Sequence, residues 1–88
     1  MFYMRFTKDD IKNLDMEMLL IEADEKGFVS REIGLDANNI VIYKSPTKKN
    51  NYGLFDNQPI AISRLNNQLT EVEFDHYWSK AIVNKKRE

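Results

Sequence analysis

Residues 19–43 constrain the fold of this chain more than any other stretch. The runs LLIEA, FVSREIGL and IVIY follow one another, separated by DEKG and DANN. Period-two alternation rich in β-branched and aromatic residues marks half-buried strands. The two separators are turn chemistry. An aspartate can bond the backbone ahead of it, Gly27 can take the left-handed conformation that closes a hairpin, and Asn and Asp tolerate positive φ better than most residues. The stretch therefore reads as a three-stranded antiparallel meander. Leu19, Ile21 and Ala23 share one face of its first strand, and Leu20, Glu22 and Asp24 the other. In the second strand Val29, Arg31, Ile33 and Leu35 lie opposite Phe28, Ser30, Glu32 and Gly34. Residues 40–43 are apolar on both faces, which predicts a strand that is central or covered on both sides.

The flanks supply cover and connection. Residues 2–6 alternate as a further strand, with Phe2, Met4 and Phe6 facing inward. Thr7 offers a helix cap whose hydroxyl would accept from the Asp10 N–H, opening a single helical turn, with Ile11 and Leu14 on one face, or a structured loop. Residues 44–59 are polar, hold both prolines and lack periodicity, which predicts a long loop. Residues 60–62 suit a short strand and 64–68 a linker.

Thr70 and Glu73 form a capping box, with Leu69 and Phe74 placed as a hydrophobic staple. From there Phe74, Tyr77, Trp78, Ala81 and Ile82 recur at the spacing of one buried helical stripe. Lys85, Lys86 and Arg87 complement the negative end of such a helix.

The expected fold is α+β, a single domain over residues 1–88. A twisted antiparallel sheet of four or five strands would carry the C-terminal helix on one face. Met4, Phe6, Leu19, Ile21, Val29, Ile33 and Leu35 would form the inner face and meet the helical stripe.

Composition narrows the function classes. There is no cysteine, so disulfides, thiolate nucleophiles and Cys-based zinc sites are excluded together. A small domain without disulfides suits a reducing cytosol, and a cytoplasmic location is expected. The N-terminus lacks the apolar core of a secretory signal, and the longest apolar run, residues 18–21, is far too short to span a bilayer. Net charge is −1, but residues 1–43 hold five Lys/Arg against nine Asp/Glu, and residues 44–88 hold eight against five. That asymmetry fits either ordinary solvated surface or an acidic sheet rim that meets a basic partner.

Few residues suggest catalysis. The lone His76 falls on the helix face opposite the apolar stripe and reads as a surface histidine. No phosphate-binding glycine loop, nucleophile elbow or His-x-x-x-His pair is present. Carboxylates are plentiful at Glu17, Glu22, Asp24, Glu25, Glu32 and Asp36, but no spacing selects an acid/base pair or a cation site. No catalytic residue, metal or cofactor is expected. Tyr52 and Phe55 lie in the polar loop. They either fold back onto the core or serve as anchors for a partner. Lys44, Lys48 and Lys49 with Tyr52 give a weaker nucleic-acid signal.

The order of features also carries a resemblance. Glu22, Asp24, Gly27, Phe28, Arg31, Glu32 and Ile33 set an E-x-D-x-x-G-F-x-x-R-E-I line. It is followed by Ile40, Ile42 and Tyr43, then by Tyr52, Gly53, Phe55 and Asp56, then by Thr70, Glu73, Phe74 and Trp78. This arrangement, over residues 17–82, resembles small bacterial immunity-type proteins of polymorphic and contact-dependent growth inhibition toxin systems. The resemblance implies a non-catalytic inhibitor that binds the toxin domain of its own cell, with nucleases common among such toxins. Charge and loop placement then single out Glu22, Asp24, Glu25 and Asp36 as acidic contacts, with Tyr52, Phe55 and Asp56 as loop anchors. The alternatives are a small nucleic-acid-binding or regulatory module using the basic 44–52 loop, and a small enzyme built on paired carboxylates.

Overall fold

A computed structural model describes residues 1–11, 15–49, 53–55 and 58–83. Four strands, β1 (Phe2–Thr7), β2 (Met18–Ala23), β3 (Val29–Leu35) and β4 (Val41–Ser45), form an antiparallel sheet in sequential order. One helix, α1 (Glu71–Trp78), follows a 3₁₀ turn at Ile62–Arg64. The α+β class and the meander are thus as expected. Residues 60–62 do not join the sheet, however, and β4 lies at its edge, covered on both sides as the alternative expectation had it, with Val41 packed under α1 and Tyr43 against the opposite face. None of the helices in the described residues is long and apolar enough to cross a membrane.

The two hairpins of the meander use one device twice. Asp24 N–H donates to the Phe28 carbonyl, and Gly27 N–H returns to the Asp24 carbonyl. Asp36, Ile40 and Asn39 repeat these two bonds. In each turn the aspartate Oδ1 accepts two backbone N–H groups: Lys26 (2.8 Å) and Phe28 (3.0 Å), then Asn38 (2.8 Å) and Ile40 (2.9 Å). The left-handed position is Gly27 (φ 91°) in the first and Asn39 (φ 63°) in the second. Gly27 is needed twice over. Its carbonyl accepts from Ile60 N–H, and a Cβ there would lie 2.0 Å from the Ile60 carbonyl oxygen.

The sheet is covered on both faces. Tyr3, Leu20, Ile33, Leu35 and Val41 pack with Leu69 around the fully buried Phe74 of α1, with Met18, Tyr77 and Trp78 partly buried alongside. Met4, Leu19, Ile21 and Ala23 occupy the other face, covered by Ile11, Ile60, Phe55 and Leu65, with Phe2, Phe6 and Val29 partly buried beside them. The helix therefore meets Ile33 and Leu35 as expected, but Met4, Phe6, Leu19, Ile21 and Val29 lie on the opposite side. β2 is apolar on both faces, so alternation defines its two faces without saying which one the helix takes.

The helix is also shorter than its apolar stripe. Its capping box is in place, with Glu73 N–H donating to Thr70 Oγ1 at 3.0 Å and Thr70 N–H to Glu73 Oε1 at 2.7 Å. It ends at Trp78, and Ala81 and Ile82 are exposed beyond it. Lys44 Nζ donates to the Trp78 carbonyl at 2.7 Å, and Val83 N–H donates to the Val41 carbonyl at 2.8 Å. Both contacts come from β4. The first occupies the oxygen that the amide of residue 82 would need to extend the helix.

The outer edge of β1 is closed by side chains. Tyr3 N–H donates to Asn67 Oδ1 (3.1 Å), Arg5 N–H to Gln68 Oε1 (2.8 Å) and Thr7 N–H to Asp10 Oδ2 (2.9 Å). Three alternate donors that would template another strand are thereby satisfied within the chain. The linker at 64–68 is thus an edge cover. Thr7 does not cap a helix as expected. Its hydroxyl donates to the Asp10 carboxylate, and its carbonyl receives the Asp10 N–H. Leu14, Lys85, Lys86 and Arg87 lie outside the described residues.

Candidate functional site

The residues proposed as partner contacts separate into three groups once burial and bonding are known. Glu22 belongs to the interior. It projects from β2 under α1, where Arg31 of β3 donates to it twice, Nε to Oε1 at 2.8 Å and Nη2 to Oε2 at 2.6 Å. Tyr3 Oη (2.9 Å) and Ser30 Oγ (2.9 Å) add a bond to each oxygen. Chiefly through the Arg31 bonds, with help from Tyr3 and Ser30 and against the cost of burial, the carboxyl is lowered from 4.5 to about 2. Burial first, and then the Glu22 bond, pushes the Tyr3 phenol up to about 12. A carboxylate engaged this way offers little to a partner.

Arg31 ties this network to the helix. Its guanidinium lies 4.8 Å from the Phe74 ring centroid and 5.1 Å from that of Trp78, and Nη2 reaches Asp75 Oδ1 at 3.1 Å. A planar cation stacks on aromatic faces while bonding carboxylates at its edge. The shared face of Arg31, Ile33 and Leu35 was visible in the alternation. The partner of Arg31 was not, because an inward Leu19, Ile21 and Ala23 leave Glu22 on the opposite face of β2.

Asp24 and Asp36 form the second group. Their carboxylates lock the two hairpin turns, and each is half-buried. They contribute negative charge at opposite ends of β3 and do not converge. Glu25 is fully available, exposed at the tip of the first turn.

The loop anchors form the third group. Phe55 is half-buried, folded back so that its ring stacks 5.8 Å from that of Phe6. Tyr52 and Asp56 lie outside the described residues. Of the basic loop, Lys48 and Lys49 are exposed, whereas Lys44 is directed to Trp78. His76 is exposed on α1, its ring edge-on to Tyr77.

Three residues of consequence are not among the partner contacts expected from the sequence. Phe28, next to the DEKG turn, is 50% exposed, and Ile62, two residues from the Ile60–Gly27 contact, is 67% exposed. With Glu25 they place two large apolar side chains and a carboxylate at one end of the sheet. The alternation did put Phe28 on an outward face, which was the available signal. The third residue is Glu32, assigned to that same outer face but buried beneath residues 54 and 55.

Among the described residues no group of three or more His, Asp or Glu is arranged to hold a metal ion. An open cleft of about 630 Å³ lies between Asp9–Ile11 and Leu54–Phe55, with Leu19 as its floor. No family model matches this chain, and neither a curated protein nor a solved structure matches it.

Proposed function

We propose that this chain is a cytoplasmic immunity protein that binds the toxin domain of its own cell and blocks it sterically and electrostatically. The observation that carries the reading is the sheet end at the first turn, where Glu25 and Phe28 are exposed and the Ile60–Gly27 bond brings in the segment that carries the exposed Ile62. Exposed aromatic and apolar anchors form the usual centre of a protein–protein contact, with polar and charged residues at its rim. A toxin that cleaves nucleic acid has a basic substrate cleft, and an acidic inhibitor approaches such a cleft faster and in a defined orientation. Glu25 and the neighbouring charge of Asp24 suit that role, while Asp36 adds to the acidity of the opposite end of β3. The resemblance quoted above supports the same reading, with no cofactor and no bond-breaking step.

The direct experiment is co-expression with the product of the adjacent upstream gene. The two proteins should co-purify, and the chain should restore growth to cells making the toxin domain. Absence of both a complex and protection would rule the reading out. Within a complex, Phe28→Ala and Glu25→Lys should each weaken binding at least about tenfold, as central anchors do.

A second reading draws on Lys48 and Lys49, whose exposure leaves them free to meet a phosphate backbone. It requires binding to DNA or RNA that falls steeply with salt. Salt-insensitive or undetectable binding eliminates it.

A further inference from the structure

The group that the proposed interface leaves unused is Glu32. It lies in β3 with only 2% of its surface exposed. Oε1 accepts from Tyr43 Oη at 2.7 Å and from Leu54 N–H at 2.8 Å, and Oε2 accepts from Phe55 N–H at 3.0 Å. Two successive backbone N–H groups aimed at one anion form a nest, and here the anion is a side chain of the same protein. All three partners are donors. The two carboxyl oxygens have acceptor positions for every one of them.

We propose that Glu32 is a latch. It holds residues 54 and 55 against the sheet as a preformed ledge, with Leu54 turned outward and Phe55 stacked on Phe6, and its release opens the ledge without unfolding the sheet. Leu54 is 42% exposed although its amide is fixed to a buried group, so backbone anchoring and side-chain presentation coincide in one residue. The opening is local because the helix-facing core around Phe74 contains none of these residues. The same ledge is one wall of the cleft over Leu19. Its use by a partner rests on the immunity reading, since fixing a contact loop in advance lowers the entropic cost of binding. The latch itself does not rest on that reading.

Amide hydrogen exchange on the full chain tests the proposal without a partner. In the wild type, Leu54 and Phe55 should be protected and should open with a small denaturant dependence. Leu20 and Ile33 should follow global unfolding. Glu32→Gln replaces one acceptor oxygen with a donor, and protection at Leu54 and Phe55 should drop about 10- to 100-fold relative to Leu20 and Ile33, as loss of charge-assisted bonds requires. Tyr43→Phe keeps both backbone bonds and should give a smaller loss at the same two amides. Unprotected amides at 54 and 55 in the wild type would overturn the latch. So would Glu32→Gln lowering protection equally at all four positions. If Glu32→Gln does not fold, the wild-type denaturant dependence and Tyr43→Phe decide the matter. Failure to capture a toxin would remove the ledge's purpose and leave the exchange result standing.

Discussion

The Arg31 guanidinium makes two bonds to Glu22, one to Asp75, and lies over the rings of Phe74 and Trp78. Removing it strands a carboxylate that is mostly out of water. Arg31→Met should cost roughly 2 to 4 kcal/mol, at or below the range for fully buried pairs because the arginine side chain is 24% exposed. A double-mutant cycle with Glu22→Gln, read by urea denaturation, checks this. The double variant should be less destabilised than the sum of the two singles. The pH dependence has a defined sign. The Glu22 carboxyl is lowered in the folded protein from 4.5 to about 2. Its stabilisation is therefore full above about pH 4.5 and is lost as pH falls from there toward 2. The urea midpoint of the wild type should fall through that window, and that of Glu22→Gln should fall less. From the sequence, Glu22 reads as one more acid beside the DEKG turn. Burial and a cross-strand arginine convert it to a structural ion, and neither is encoded in its own local pattern.

At the scale of elements, the two hairpins offer a matched comparison. Both need a residue at positive φ, and Gly27 is in addition approached by the Ile60 backbone. Asn39→Gly should therefore change stability by a few tenths of a kcal/mol, since glycine accepts that conformation freely. Gly27→Ala should cost more than about 1 kcal/mol, because strain at φ adds to a collision with Ile60. Thermal or urea melts of the two variants check the contrast, and equal losses would remove Ile60 from the explanation. The turns, the meander and the capping box were legible because each depends on residues within a few positions of one another. The end of α1 was not. Its apolar spacing continues to Ile82, but Lys44 takes the Trp78 carbonyl and Val41 takes the Val83 amide. Both partners lie more than thirty residues away.

For the molecule as a whole, the sheet has two covered faces with different chemistry. The side under α1 contains the Glu22–Arg31 pair and Tyr3, whereas the side under Ile11, Phe55, Ile60 and Leu65 is more apolar apart from Glu32. Met4, Leu19 and Ile21, expected under the helix, therefore lie on the other face, because β2 alternates between two apolar faces. Phe74 is the centre of the helix-facing core, so Phe74→Ala should cost about 3 to 5 kcal/mol, and the half-buried Trp78→Ala should cost less. Chemical denaturation of both variants checks the ranking. Of the site, Glu25 was legible as an exposed turn acid, but the segment that carries Ile62 reaches the Phe28 end of the sheet only because residue 60 bonds to residue 27. The central claim is that this end of the sheet seats on a toxin domain and neutralises it. Isothermal titration of the purified chain against the purified toxin domain of the upstream gene product measures that most directly. The account expects a 1:1 complex with a dissociation constant on the order of nanomolar, weakened at least about tenfold by Phe28→Ala. No heat of binding at micromolar concentrations, or an affinity indifferent to Phe28→Ala, would contradict it.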